Sequence, residues 1–231
     1  MNVKGLVEDI RRDGVRVVAH DLAYRGIQKV APYRAIYGVR IHLDELRTPE
    51  YLQDDHGFDC RFLTDAELRR YSESEPTLAP EFVEEAIAGG DRCFAILDGE
   101  RLAAYGWYAT RATSAFEELY LHFDPTYVYM YKGFTHPDYR GKRLHGIGMA
   151  RALQAVTEEG YRGLISYVET DNSRSLRSCF RMGYIVFGVV RVLGTRAGAI
   201  VRATRGCAKY RYTLSPEKPS KPGAGEQRRA A

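Results

Sequence analysis

The chain has 231 residues, of which 45% are hydrophobic and 28% charged, so a folded globular protein with one substantial core is expected. Its formal net charge is +4. Residues 215–231 supply +2 of that charge through four basic and two acidic side chains, and the remainder is too weak and too evenly spread to indicate nucleic-acid binding.

The same composition argues against a membrane protein and a secreted one. No segment offers the ~18 uninterrupted apolar residues of a membrane helix, and the first residues lack the apolar run of a signal peptide. The four cysteines lie far apart with no CxxC pair, which predicts reduced thiols and a cytoplasmic location. The six histidines show no metal-ligand spacing, so no metal is expected.

Residues 1–55 give weak secondary-structure signals. Short helical patterns cover residues 5–14 and 19–30, and residues 33–43 alternate between apolar and polar side chains as a strand does. We therefore expect residues 1–55 to form an extension packed on a core domain of residues 56–214.

The pattern sharpens from residue 58, where residues 58–64 predict a strand. Thr64, with Glu67 three residues later, predicts a capping box that opens a helix. A capping box satisfies two backbone N–H groups that a helix start leaves without partners. The elements expected next are a helix over residues 79–88 and a hairpin that turns at Asp98-Gly99.

Residues 125–135 predict a long strand with a row of tyrosines on one face. Tyr127, Tyr129 and Tyr131 alternate with Val128 and Met130, so the two sets point to opposite sides of the sheet. The tyrosine row could line a pocket for an acceptor molecule. An alternating aromatic strand is also typical of an ordinary core, and both interpretations stay open.

The segment THPDYRGKRLHGIGMA, residues 135–150, carries the clearest chemical signal. It predicts a strand end, a turn at residues 136–138 and a helix that opens on basic residues and glycine. The first N–H groups of a helix have no intrahelical partner, and the helix dipole adds partial positive charge there. Gly141 permits close approach of a ligand to the backbone. The segment therefore predicts a site for a phosphate or diphosphate.

The remaining chain alternates helices and strands. Hairpins beside crossover helices predict a mixed, splayed α/β sheet of about seven strands with flanking helices. The expected elements are a helix over residues 143–159 ended by Gly160, a strand over 163–170, a helix over 171–182, strands over 184–194 and 206–214, and a disordered tail over 215–231.

This element order and three motifs resemble the GNAT superfamily of acyl-CoA-dependent N-acyltransferases, over roughly residues 56–214. The motifs are HPDYRGKRLHGIG, the helix end at Gly160-Tyr161, and VETDNSRSLRSCFRMGYIVFG. The resemblance implies an acyl-CoA co-substrate, most simply acetyl-CoA. The residues that it assigns to the acyl-CoA site are Phe134, Thr135, Arg140, Gly141, Lys142, Arg143, Leu144, His145, Asn172 and Ser175.

Two registers fit the family's diphosphate motif. Starting at Arg140 keeps the helix length right but puts Arg143 and His145 where the family has small residues. Starting at Arg143 matches the glycines but shortens the helix by three residues. We prefer the Arg140 register because Tyr139-Arg140-Gly141 anchors it, and we expect His145 to face outward.

The acid and base are less clear. Many family members place a general-acid tyrosine where this chain has Cys179, whose thiol can donate a proton but could equally be a buried apolar residue. Glu169, at the end of a strand near the expected splay, is our first candidate for the base. His136 is an alternative, and Asp124 is expected to cap the loop before Pro125.

We therefore expect an N-acetyltransferase that acts on a small-molecule amine by direct attack in a ternary complex, with no metal and no nucleic acid. One alternative is a non-catalytic acyl-CoA-binding regulatory module. Another is an O-acyl or long-chain acyltransferase of polysaccharide or lipid synthesis. The sequence leaves a homodimer open.

Overall fold

The computed structural model describes Val15, Ala19, Gly26 and residues 32–53, 57–116, 118–195 and 198–218. The helical patterns predicted for residues 5–14 and 19–30 fall almost entirely outside these residues. Residues 219–231 of the predicted tail also lie outside them.

The strands are β1 (Tyr33–Ile41), β2 (Asp59–Phe62), β3 (Arg92–Asp98), β4 (Arg101–Ala109), β5 (Thr113–Phe116), β6 (Leu119–His122), β7 (Val128–Thr135), β8 (Leu164–Glu169), β9 (Ile185–Thr195), β10 (Gly198–Ala203) and β11 (Thr213–Ser215). The helices are α1 (Asp65–Ser74), α2 (Pro80–Gly89), α3 (Leu144–Glu158), α4 (Ser173–Met182) and α5 (Arg205–Ala208). Short 3-10 turns cover Leu43–Glu45, Pro49–Leu52 and Pro137–Tyr139.

Within the described residues, the main sheet has eight strands in the order β10-β9-β1-β8-β7-β4-β3-β2. Strands β7 and β8 run parallel, and the other neighbouring pairs are antiparallel. This arrangement confirms the predicted mixed α/β sheet. Strands β11, β6 and β5 form a second, three-stranded sheet, of which β5 and β6 were not predicted.

Strand β1 lies inside the sheet, between β8 and β9. It pairs with β8 from Ile36↔Glu169 to Ile41↔Leu164, and with β9 along its other edge. The strand pattern predicted for residues 33–43 is thus confirmed. These residues, expected within an extension packed on the core, form a strand in the middle of the main sheet. The domain boundaries at residues 55 and 214 stay a prediction.

Helix and small-sheet layers cover the two faces of the main sheet. The α3 face includes Val39, Met130, Leu153 and Cys179 in one core cluster. On the opposite face, Ile36, Tyr129 and Leu121 belong to a cluster under the small sheet. Helices α1 and α2 pack on that same opposite face, over β3 and β4, where Trp107 is fully buried.

The predicted capping box of α1 is present. The Thr64 hydroxyl accepts a hydrogen bond from the Glu67 N–H at 3.3 Å, and the Glu67 carboxylate accepts one from the Thr64 N–H at 2.8 Å. Arg61 donates two further hydrogen bonds to Glu67 and lowers the pKa of that carboxyl to about 2. The helix start is therefore fixed to strand β2 by charge as well as by its cap.

The strand predicted for residues 206–214 is wrong for most of its length. The chain instead forms α5 and a turn, in which the N–H groups of Tyr210 and Tyr212 both donate to the Cys207 carbonyl at 3.0 Å. All three side chains are buried. Their spacing imitates a strand because a tight turn can also send every second or third side chain into a core.

Candidate active site

Strands β7 and β8 separate after a short parallel contact. Their pairing joins Val128 to Leu164 and Tyr129 to Ile165, and the next link is the Ser166 hydroxyl, which donates to the Met130 carbonyl at 2.8 Å. Further along β7, Lys132 has a left-handed φ of 48°, and the register with β4 shifts there. The end of β7 therefore presents an open edge toward β8, the splay that the sequence predicts.

The backbone N–H of Thr135 faces this open edge. The next amide, that of His136, donates to the Ala103 carbonyl of β4 at 2.9 Å. Because amide directions alternate along a strand, the Thr135 N–H points away from β4 and toward the β8 side, whereas the Phe134 N–H points to β4. Of Phe134 and Thr135, the two β7 residues that the resemblance assigns to the acyl-CoA site, only Thr135 directs its N–H toward this open edge.

The loop after β7 has the form expected of an anion site. Tyr139 is buried, and its hydroxyl donates to Asp98 at 2.7 Å, which anchors the loop to the β3–β4 hairpin. Arg140, Gly141 and Lys142 are exposed, and Gly141 has a φ of +86° that favours glycine.

Helix α3 opens directly from this loop. Its N-cap residue, Arg143, is exposed with a left-handed φ of 61°. In the first turn, the backbone N–H groups of Leu144 to Gly146 have no intrahelical partner, because no carbonyl of this helix lies four residues before them. Since these N–H groups lie beside three exposed basic side chains, the loop suits a diphosphate.

The backbone supports the Arg140 register of the motif. Arg143 stands at the glycine position of that register, and its left-handed φ is the conformation that glycine adopts most readily. The glycines of the other register lie inside α3, where a Cβ on Gly146 would meet the Tyr51 ring at 2.8 Å and one on Gly148 would meet Ile96 at 3.3 Å. Both glycines therefore have packing roles.

His145 and Leu144 differ in their surroundings. Leu144 is buried in the α3 core, so only its backbone can contribute to the site. His145 is partly open to solvent, but its ring packs beside Gly133 at the open end of β7, where burial lowers the pKa of the imidazole. That His145 faces outward stays a prediction.

A cavity of about 620 Å³ lies against β7, on the face opposite α3. Tyr129 and Tyr131 line it with Tyr167 of β8, and the Tyr129 and Tyr131 rings stack at 5.5 Å and 8°. Residues of α2 and of the segment that enters β5 close the other sides. The predicted tyrosine row therefore both lines a pocket and packs in the core, while Tyr127 lies outside the cavity lining.

Asp91, which the sequence analysis missed, is the most unusual group of this cavity. Its carboxylate accepts hydrogen bonds from the Tyr131 hydroxyl at 2.5 Å and from the Thr113 hydroxyl at 3.3 Å. Burial raises the pKa of Asp91 to about 6, and the hydrogen bonds and Arg111 oppose that rise. A buried carboxyl that titrates near neutrality can accept a proton from a substrate. The only signal in the sequence is an acid between a helix-ending glycine pair and a strand.

Glu169 lies at the end of β8, as predicted, and forms an ion pair with Arg34 of β1 at 2.9 Å. It is on the tyrosine face of the sheet but does not line the cavity. Its role as the base stays a prediction.

Cys179 lies in α4 and is buried in the α3 core, and burial raises the pKa of its thiol to about 11. A thiol with this pKa stays protonated at neutral pH and so keeps a proton to donate. The structure thus supports the apolar role without removing the acid role. In the described part of the chain, no disulfide joins any of the four cysteines.

The helix-start residues of α4 have capping roles. The Asn172 side chain accepts a hydrogen bond from the Ser175 N–H at 3.0 Å and so caps the start of α4. Contact with the acyl-CoA arm stays a prediction for both.

The remaining candidates are turn residues. His136 accepts from the Asp138 N–H at 3.4 Å within the loop. Asp124 accepts from the N–H and the hydroxyl of Thr126, at 2.9 and 2.7 Å, so it caps the turn before β7 as expected.

A cluster of metal-ligand type, formed by His42, Asp44 and Glu45, directly follows strand β1. Glu45 is paired with the Arg40 guanidinium and accepts from the His42 N–H. The His42 ring is hydrogen-bonded to the Tyr127 hydroxyl at 2.8 Å. The side chains of His42 and Glu45 are thus already engaged in a polar network.

The family model "Acetyltransferase (GNAT) family" matches residues 59–184, which include α1 to α4, the loop after β7 and every residue of the cavity lining except Lys218. The chain belongs to the GNAT acetyltransferase family. Enzymes of this family transfer acyl groups from acyl-CoA, and the loop amides and basic side chains described above fit that co-substrate. No curated protein matches the chain. In the described part of this GNAT protein, no helix combines the length and the apolar character needed to span a bilayer.

Several solved structures resemble this GNAT chain. A putative GNAT-family acetyltransferase from Novosphingobium aromaticivorans shares 13% identity over 70% of this chain and 63% of that one, with a TM-score of 0.47. A GCN5-related N-acetyltransferase-like protein from Streptococcus suis shares 16% identity over 78% and 67%, with a TM-score of 0.48. A GNAT-family acetyltransferase from Colwellia psychrerythraea shares 12% over 71% and 58%, with a TM-score of 0.47. The chain thus spans less than two thirds of the first and third of these proteins.

Proposed function

We propose that this protein transfers an acyl group, most simply acetyl, from acyl-CoA to the amine of a small acceptor. One observation carries the proposal. The open end of β7 lies between an anion-binding loop and a cavity, so one strand edge borders sites for both substrates. Tyr131 belongs to the cavity lining and precedes the amides at the open edge.

The chemistry needs few groups from the protein. The neutral amine attacks the thioester carbonyl, the C–S bond breaks, and the thiolate of coenzyme A takes up a proton. The Thr135 N–H is placed to stabilise the oxyanion that forms during attack. The backbone N–H groups at the start of α3, with Arg140, Lys142 and Arg143, would hold the diphosphate.

Asp91 is the better placed of the two candidate bases. It lines the cavity, whereas Glu169 is paired with Arg34 and lies outside the lining. Asp91 can accept the proton that an ammonium group loses before attack. Proton donation to the thiolate can come from Cys179 or from solvent.

The test follows free thiol released from acetyl-CoA in the presence of a panel of primary amines and alcohols. We expect thiol release with at least one amine, together with the acetylated product by mass spectrometry. Turnover confined to alcohols would contradict amine transfer.

Gly141→Asp is the matched variant for the anion site. A Cβ at Gly141 would meet no other atom within 4 Å, so the change adds a negative charge and a left-handed strain without a clash. We expect weaker binding of coenzyme A by calorimetry. Gly141→Ala controls for the strain, and unchanged affinity in Gly141→Asp would remove the loop from the site.

A non-catalytic acyl-CoA-binding module is the second candidate, because Cys179 is buried at the position of the family's general-acid tyrosine. The same experiments separate the two candidates. Binding of acetyl-CoA that Gly141→Asp weakens, with no thiol release across the panel, would favour the module.

A further inference from the structure

Arg111 brings a positive charge into the cavity that holds Asp91. It follows β4 and lines the cavity together with Asp91 and Glu85. The Nη1 atom of Arg111 is buried and has no hydrogen-bond partner among the residues that the structure describes. A buried guanidinium donor without a partner is unfavourable, so such a group in a cavity is poised for an acceptor atom supplied by a ligand.

Asp91 does not satisfy that donor. Its carboxylate is hydrogen-bonded to Tyr131 and Thr113, and in the described part of the chain Arg111 forms no ion pair with it within 4.0 Å. Arg111 is near enough to lower the pKa of Asp91, but the two side chains are not paired. Arg111 can bind an anionic group of a ligand, while Asp91 can bind an amine.

Five of the other lining residues are aromatic and four are alanines. Phe82, Tyr129, Tyr131 and Tyr167 present ring surface that suits an apolar or aromatic body. The charged lining groups are three basic ones, Arg111, Lys132 and Lys218, and two acidic ones, Asp91 and Glu85. With Asp91 ionised, their net charge is +1, which favours a ligand that carries a carboxylate.

We propose that the acceptor is an amino acid with an apolar or aromatic side chain, whose carboxylate is bound by Arg111. This inference rests on the proposed acyl transfer to an amine. The planar guanidinium pairs with a carboxylate through two parallel hydrogen bonds. A phosphate dianion fits less well, since Asp91 and Glu85 share the cavity. The amine of the amino acid then lies on the Asp91 side, next to Tyr131.

Three matched compounds test the assignment: L-phenylalanine, phenethylamine, which lacks the carboxylate, and 3-phenylpropionate, which lacks the amine. Binding to the full-length protein is measured by calorimetry, and thiol release from acetyl-CoA is measured with the two amines. We expect phenylalanine to bind at least about 10-fold more tightly than phenethylamine, because loss of the carboxylate leaves the Arg111 donor unpaired.

If Arg111 binds the carboxylate, the ratio of the affinity for phenylalanine to the affinity for phenethylamine depends on this residue. In Arg111→Gln we expect the ratio to fall to about one, with partial recovery in Arg111→Lys, which restores the charge without the planar fork. Arg69→Gln, an exposed arginine outside the cavity that pairs with Glu84, should leave the ratio unchanged. Thermal denaturation of each variant verifies that it is folded.

The outcomes separate the two proposals. Equal affinity for phenylalanine and phenethylamine in the natural protein, or no binding of either, would overturn the amino-acid assignment. Turnover of phenethylamine with no preference for phenylalanine would overturn it while leaving amine acylation intact. Arg111-dependent preference in binding without thiol release would support the assignment and contradict the catalytic proposal.

Discussion

Asp91 is the residue whose protonation should govern turnover. A base must be unprotonated to act, and burial raises the pKa of Asp91 to about 6. We therefore expect the acyl-transfer rate to rise as pH increases through about 6 and then to level off. In Asp91→Asn the rate should fall by about 100-fold or more, and this rise should disappear.

The measurement is the pH dependence of kcat/KM between pH 5 and 8 for both forms. The control is Glu169→Gln, which removes the other candidate carboxylate. A profile that survives in Asp91→Asn and vanishes in Glu169→Gln would assign the base to Glu169.

Cys179 tests whether a buried thiol takes part in the reaction. Because it packs in the α3 core, Cys179→Ala should lower the free energy of unfolding by about 1 kcal/mol. We expect turnover to fall less than about 10-fold, since solvent can also protonate the leaving thiolate. A loss of about 100-fold or more at near-natural stability would instead identify Cys179 as the acid. Steady-state kinetics measures the turnover of each variant, and urea denaturation measures its free energy of unfolding.

The residues that the sequence could predict are those whose role is local. Arg140 to His145 are consecutive, so the local sequence is enough to predict that a helix starts there. Asp91 acquires its unusual environment from Tyr131 and Thr113, which lie 40 and 22 positions away. The pattern of hydrophobic residues does not predict these contacts, because the cavity forms only when segments distant in sequence pack together.

At the scale of elements, helix α3 depends on two glycines that pack in different ways. A methyl group on Gly146 would lie 2.8 Å from the Tyr51 ring, which is buried and cannot move freely. On Gly148 it would lie 3.3 Å from the terminal methyl of Ile96, an overlap that a shift of a few tenths of an ångström relieves. Alanine also favours the helix by about 1 kcal/mol over glycine.

We therefore expect Gly146→Ala to destabilise the protein by about 1–2 kcal/mol, as overpacking outweighs the gain in helix propensity. Gly148→Ala, the matched control, should be neutral or stabilising. Chemical denaturation of both variants measures the difference. Similar stability in the two would show that Gly146 is not a packing position.

At the scale of the molecule, the buried strand β1 joins the two faces of the core. Ile36 belongs to the cluster under the small sheet and Ile41 to the cluster under α3, and both are fully buried. We expect Ile36→Ala and Ile41→Ala each to lower the free energy of unfolding by about 2–5 kcal/mol.

Ile200 of β10 provides the control, because its side chain is 45% exposed. Ile200→Ala should change the free energy of unfolding by no more than about 0.5 kcal/mol. Urea denaturation compares the three variants. A small effect at Ile36 and Ile41 would mean that residues 33–41 are a dispensable extension after all.

The sequence predicted most elements correctly but not where β1 belongs. Apolar alternation over residues 33–43 predicts a strand, yet strand order depends on partners that lie far away along the chain. The error at residues 206–214 has a related cause. Cys207, Tyr210 and Tyr212 are buried as a strand's residues would be, although the chain turns there through α5 and a left-handed φ of 48° at Arg211.

The position of β1 affects how the chain folds during synthesis. Arg34 and its partner Glu169 are 135 positions apart, and β9 is later still. A ribosome releases the strand well before either neighbour exists, so both of its hydrogen-bonding edges stay exposed during most of synthesis. We infer that the sheet closes only after β9 has emerged. Such late, long-range pairing is slow and leaves the nascent chain dependent on protection from aggregation.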